Sequence, residues 1–299
     1  MRRKRELHWE RIAEVIDDDL DELPIESFFD TLKLITKKPG GKYDFIKKSG
    51  SSYIEALFNL FQLVWRVERI PTPWQISYVT QIPKSGQNTT DLANVRNIHV
   101  RNITAKFFSQ ILLSHAKDNL IESMTIFQLA CKPGHRPVEH LYVVKSVIAH
   151  YSKQKKGILV SGYNIRTFFD SEDIYDVFGE VYLSQVKGKV YRLLFEMNKS
   201  TQIIIRTPVG DSEARSVGAV ITQGGIESAI LSSVSIDRGT DVAFATSDCE
   251  AVYHGTQLAP LRWMDDILRV GESIASAQYA NNLVEDVGFK RPGHGLPLT

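Results

Sequence analysis

The run Leu261-Arg262-Trp263-Met264-Asp265-Asp266-Ile267-Leu268-Arg269-Val270 constrains this chain more than any other stretch, because two adjacent carboxylates interrupt an otherwise strand-like segment. Apolar residues on both sides with acid between them predict a β-hairpin carrying Asp265 and Asp266 at its turn. Neighbouring carboxylates repel one another and need water or a cation close by. An exposed acidic turn meets that need, and so does a turn that holds a hard metal ion through carboxylate oxygens. The dipeptide alone is compatible with both.

The rest of the chain is globular in character. With 299 residues, 43% hydrophobic and 24% charged, it is long enough for one large or two modest domains. Lys and Arg number 36 against 35 Asp and Glu, so no global field draws the protein to nucleic acid, and any basic surface must be local. Cys131 and Cys249 match no metal-ligand spacing and suit free thiols in a reducing compartment. The basic start, Met1-Arg2-Arg3-Lys4-Arg5, is followed by polar residues and does not read as a secretory signal. Tyr53 to Val67, the most apolar window, is too short and too polar to span a bilayer. An intracellular setting, nuclear or cytoplasmic, is the expectation.

Along the chain, helices are predicted at about 25–37, 53–69, 103–116, 138–152, 170–183, 190–198 and 226–234, from apolar spacing and from breakers such as Lys38-Pro39-Gly40-Gly41. Strands are predicted at 76–82 and 158–165, with a strand pair at 201–207 and 214–220. Pro83-Lys84-Ser85-Gly86-Gln87 is a turn presenting a lysine. Between Lys84 and Arg136 seven basic residues stand against three acidic ones. That stretch is either a solvated face or a surface for phosphates. The charged segment Lys153-Gln154-Lys155-Lys156-Gly157 marks the best internal boundary, since the periodicity turns from helical to strand-like after it.

In order, the chain carries Ile82-Pro83-Lys84, Asn94-Val95-Arg96-Asn97-Ile98, Phe127-Gln128 with Lys132-Pro133-Gly134, Phe168-Phe169-Asp170-Ser171, Gln223-Gly224 and Asp265-Asp266. Together these blocks resemble the reverse transcriptases of non-LTR (LINE-like) retrotransposons, over residues 30 to 290 or so. The resemblance implies an α+β fold with the fingers and palm of a right-hand polymerase and no complete thumb. It divides the chain into a lead-in (1–30), a fingers-like part (31–157) and a palm-like part (158–299). It also implies RNA-directed DNA polymerisation by two-metal chemistry, with Mg²⁺ or Mn²⁺, an RNA template, a DNA primer and deoxynucleoside triphosphates. Two ions roughly 3.5 to 4 Å apart stabilise the attacking and leaving oxygens in such a reaction.

By the same resemblance, Asp265 is a metal ligand and Asp266 its neighbour. Phe169 is the aromatic gate that crowds a ribose 2′-hydroxyl, and Lys84 and Arg96 grip the triphosphate as point charge and fork. Gln223 and Gly224 let the backbone approach the incoming nucleotide. Lys132 and Arg136 lie along the template or primer backbone. One departure stands out: the palm-strand aspartate, five residues before the aromatic gate, is Asn164 here. Asparagine offers a neutral carbonyl oxygen where an anionic bridge is wanted, which implies weak metal binding and weak or no polymerisation. A catalytically inactive, retroelement-derived protein that keeps the fold and nucleic-acid binding is the alternative.

Overall fold

The computed structural model describes residues 21–37, 43–84, 94–165, 168–217, 221–244, 251–272, 278, 290–291 and 294–295. In chain order the elements begin α1 (Ile25–Ile35), α2 (Asp44–Lys48), α3 (Ser51–Val67), α4 (Thr72–Gln75), β1 (Ile76–Pro83), β2 (Val95–Arg101), α5 (Ile103–Ser123), α6 (Val138–Lys153) and β3 (Leu159–Asn164). They continue with α7 (Phe168–Ser171), α8 (Ile174–Leu183), α9 (Gly188–Lys199), β4 (Gln202–Thr207), β5 (Gly210–Asp211), β6 (Arg215–Ser216) and α10 (Ser228–Phe244). The short pair β7 (Val252–Tyr253) and β8 (Thr256–Gln257) precedes β9 (Leu261–Trp263) and β10 (Asp266–Gly271). A last pair joins β11 (Lys290–Arg291) to β12 (His294–Gly295). The fold is α+β, as expected, and one of its sheets is mixed.

The chain forms two compact units, and each is discontinuous: Met1–Asn119 with Asp173–Ser228, and Leu120–Glu172 with Ala229–Thr299. The boundary expected at residue 157 lies within the second unit, between α6 and β3.

In the first unit a sheet of order β2-β1-β4-β5, with β6 also on β4, is built from an antiparallel β1–β2 ladder and a parallel β1–β4 ladder. Phe28, Phe61, Trp74, Phe107 and Phe108 pack edge-on or tilted, with ring centroids 5.1 to 5.8 Å apart. All five are buried. This aromatic cluster explains why α1 and α3 keep apolar residues on one side, while α5, buried around most of its first turns, supplies Phe107 and Phe108. Truncating a buried Phe of this kind costs about 3–5 kcal/mol. A second cluster, Phe178, Tyr191 and Phe195, joins α8 to α9. Burial pushes the Tyr191 hydroxyl above its ordinary value.

In the second unit β10 pairs antiparallel with β3 on one side and β9 on the other. Val144, Val147 and Tyr151 of α6 pack with Ala251, Leu258, Leu261 and Val270. The spacing of α6 places these three side chains on one face.

Several elements differ from the sequence reading. Strand β2 was not expected, because Arg96 and Asn97 put two polar residues in succession and interrupt the alternation of a strand; the ladder with β1, from Ser77–Arg101 to Pro83–Val95, forms it. Helices α5 and α10 run longer than their periodicity predicted, to Ser123 and Phe244: Leu120 is buried in the added turns of α5, and Ser235, Ile236, Asp237 and Thr240 in those of α10. The helix predicted from residue 170 begins at Ile174, where the Asp173 carboxylate accepts from the Tyr175 N–H at 2.8 Å and caps it. The predicted turn Ser85-Gly86-Gln87, residues 218–220 of the predicted strand, and Cys249 lie outside the described residues.

Candidate functional site

The acidic hairpin forms as predicted, with a sharper division of its two carboxylates. Met264 and Asp265 make the two-residue turn, and Asp266 is the first residue of β10, paired with Trp263. A two-residue hairpin turn needs a positive φ at its first central position to match the strand twist. Met264 supplies it at 56°. That conformation is uphill for any non-glycine residue by about 1–3 kcal/mol.

Across the sheet the same strand pairs with β3, and the register sets Asn164 directly opposite Asp266. Directly opposed residues of an antiparallel pair have Cα atoms roughly 4.5 to 5.5 Å apart. Three positions of the predicted catalytic set, Asn164, Asp265 and Asp266, are therefore neighbours at one end of the β3-β10-β9 sheet. Asp265 is partly buried and Asp266 exposed. Burial, and then the neighbouring Asp266 carboxylate, raise the Asp265 carboxyl above the usual range, against a backbone hydrogen bond that lowers it. A cation at this tip would relieve both penalties.

The donors fit a hard divalent ion in type, since both are carboxylate oxygens. They fall short in number. Among the described residues no three His, Cys, Asp or Glu side chains converge to hold a metal. Phe169 lies on the short helix α7 after β3, with its ring 5.2 Å from that of Phe168.

The support beneath the hairpin comes from residues whose burial no local pattern in the sequence records. The segment Phe127–Leu129 lies along β9: Arg262 N–H donates to the Phe127 carbonyl at 2.8 Å, and Leu129 N–H donates to the Arg262 carbonyl at 3.2 Å. The Arg262 guanidinium, wholly buried, pairs with the equally buried Asp237 and donates to Thr125 Oγ1 at 3.1 Å. Asp237 in turn accepts from the Thr125 N–H and hydroxyl.

Gln128 is fully buried, and its Oε1 accepts from Ala130 N–H at 3.1 Å and from Met264 N–H at 3.2 Å. Two donors on one atom fix which end of the amide is oxygen. The Nε2 end has no hydrogen-bond partner among the described residues. An unmet buried donor of this sort costs about 1–3 kcal/mol. His140 of α6, also buried, meets Trp263 edge-on at 6.5 Å. Burial lowers its pKa, partly offset by a hydrogen bond to the Phe127 backbone. Gln128 stands in one of the blocks that carry the resemblance, but no sequence signal marks the burial of Gln128, His140, Asp237 or Arg262, which is a property of the packed unit.

The basic candidates of this unit are placed differently from one another. Lys132 donates its ammonium to the carbonyls of Met124 (3.2 Å) and Thr125 (2.7 Å), just past the C-terminus of α5. Burial lowers its pKa, partly offset by Asp237. Arg136 is exposed ahead of α6, and its N–H donates to Glu139 Oε1 at 2.7 Å.

The remaining candidates belong to the first unit. Arg96 pairs with Ile82 in the β1–β2 ladder, and Lys84 follows two residues beyond Ile82, with its N–H on the Asn94 carbonyl at 2.8 Å. The ladder thus brings both cations to one end of the sheet. Gln223 and Gly224 sit against the outer edge of β2, where His99 N–H donates to the Gln223 carbonyl at 2.8 Å. Gly224 has φ +107°, and a Cβ there would lie 2.8 Å from the His99 carbonyl oxygen. Its glycine is required by the protein's own backbone.

Behind this loop Arg101 is buried and donates to Glu227 at 2.8 Å, Asn198 at 2.9 Å and Thr222 at 3.3 Å. Those bonds tie β2 to the loop and to the lead into α10. A cavity of about 280 Å³ lined by His115, Asn119, Gln185 and Lys187 contains none of the predicted residues. Among the described residues no helix is long and apolar enough to cross a membrane. No protein-family model matches this chain.

Proposed function

We propose that this protein is a reverse-transcriptase-like domain of the non-LTR retrotransposon kind, with a palm hairpin weakened by Asn164. The observation that carries the reading is the β3–β10 register, which pairs Asn164 with Asp266 beside Asp265. These motif positions are remote in sequence, and each was singled out for the same chemistry. Asp265 and Asp266 hold divalent cation through carboxylate oxygen, and Lys84 and Arg96 attract the triphosphate of an incoming deoxynucleotide. When bound, two Mg²⁺ or Mn²⁺ ions supply stabilisation of the attacking and leaving oxygens of nucleotidyl transfer. RNA template and DNA primer are the macromolecular partners of this reading.

A second reading, a catalytically silent domain that keeps template and primer binding, is favoured by one residue: at position 164 the site has an amide in place of an anion. Primer extension with Mg²⁺ or Mn²⁺ separates the two, using the unmodified protein, Asn164→Asp and Asp265→Ala. Incorporation by the unmodified chain that disappears in Asp265→Ala establishes the active reading. Incorporation by Asn164→Asp alone establishes the silent one. No incorporation by any variant, with no salt-dependent template binding, rejects both.

A further inference from the structure

We propose that Gln128 is a positioning residue of the acidic hairpin: its side-chain carbonyl locks the left-handed turn at Met264 and thereby sets where Asp265 projects. This rests on the reading of Asp265 as a metal ligand. Three observations carry it. The Gln128 Oε1 atom accepts from the Met264 N–H at 3.2 Å, in the peptide that joins Trp263 to Met264, the residue before Asp265. Met264 occupies φ 56° without being glycine or asparagine, so the turn has to be held from outside itself.

The third observation concerns what Gln128 gives up. Its backbone is registered to β9 through a parallel bridge to Arg262, its side chain is fully buried, and its Nε2 is left without a partner among the described residues. A residue placed there for packing alone would be apolar, and would leave no orphaned amine. The polar side chain is explained by the half of the amide that is used, which binds Ala130 N–H and Met264 N–H together. Mutating outer residues that orient a metal ligand typically costs about 10- to 100-fold in metal affinity.

The test uses the whole chain, Mn²⁺ as the probe ion, and Met264 amide hydrogen exchange. In Gln128→Ala, the Met264 amide is expected to exchange at least about tenfold faster relative to the Leu268 amide of β10, and the Mn²⁺ Kd to rise roughly 10- to 100-fold. Gln128→Glu, which keeps an acceptor oxygen, is expected to hold the Met264 amide near its original rate. In a Met264→Gly background, where a positive φ costs nothing, Gln128→Ala is expected to change the Mn²⁺ Kd by no more than about twofold. The core truncation Val147→Ala in the same unit controls for lost stability.

The inference is overturned if Met264 exchange is unchanged in Gln128→Ala. It is also overturned if Gln128→Ala keeps Mn²⁺ affinity that Asp265→Ala loses, or if Val147→Ala weakens Mn²⁺ as much. Mn²⁺ binding that ignores Asp265→Ala overturns the metal reading of the hairpin itself, and this inference with it.

Discussion

Asn164 and Asp266 are direct partners in the β3–β10 ladder, so a substitution at either is read by the other across a single strand spacing. Replacing the amide with a carboxylate adds an anion at the hairpin tip. Asn164→Asp is therefore expected to raise Mn²⁺ affinity by at least about tenfold, measured by isothermal titration, and Asp265→Ala is expected to remove the gain. Equal affinity in Asn164→Asp and the unmodified protein contradicts a shared ion at that tip.

Gly224 and Gly134 both have positive φ, at 107° and 83°, and differ in what surrounds them. A Cβ at 224 meets the His99 carbonyl oxygen at 2.8 Å, whereas nothing lies within 4 Å at 134. Gly224→Ala is expected to cost about 2–4 kcal/mol, combining left-handed strain with a backbone displacement at the edge of β2. Gly134→Ala is expected to cost about 1 kcal/mol, from strain alone. Urea denaturation of the two variants measures the difference.

His99 is buried beside Arg101, and burial first, then that guanidinium, lower its pKa to about 4. The folded state thus resists a proton that the unfolded chain accepts at about 6.5. The stabilisation is fully present above pH 6.5 and is lost as the pH falls from there toward 4, because the unfolded state binds more protons in that window. Roughly 3 kcal/mol is at stake, from the size of the shift. His99→Leu is expected to flatten this part of the stability profile, measured as urea midpoints at pH 7, 6, 5 and 4.

Asp237 and Arg262 form a wholly buried ion pair behind the hairpin. Removing one partner strands the other charge, so Asp237→Ala is expected to destabilise the second unit by about 3–5 kcal/mol. Replacing both with apolar residues of similar volume is expected to recover much of that loss. Thermal melts of the single and double variants, combined in a cycle, give the coupling.

By itself the sequence determined the hairpin, the main helices and the long strands, because apolar spacing, β-branched runs and breakers act locally. The Asp265-Asp266 turn was legible for the same reason: repulsion between neighbouring carboxylates is a property of the dipeptide. Tertiary structure alone decided which cations stay exposed. Lys132 and Arg136 look alike in sequence, yet one binds the carbonyls at the end of α5 and the other is exposed. It also decided β2, whose interrupted alternation becomes a strand only against β1, and the roles of Gln128, Asp237 and Arg262, which follow from burial. A buried hydrogen bond depends on groups far apart in the chain meeting in a dry interior, and no local pattern records that meeting.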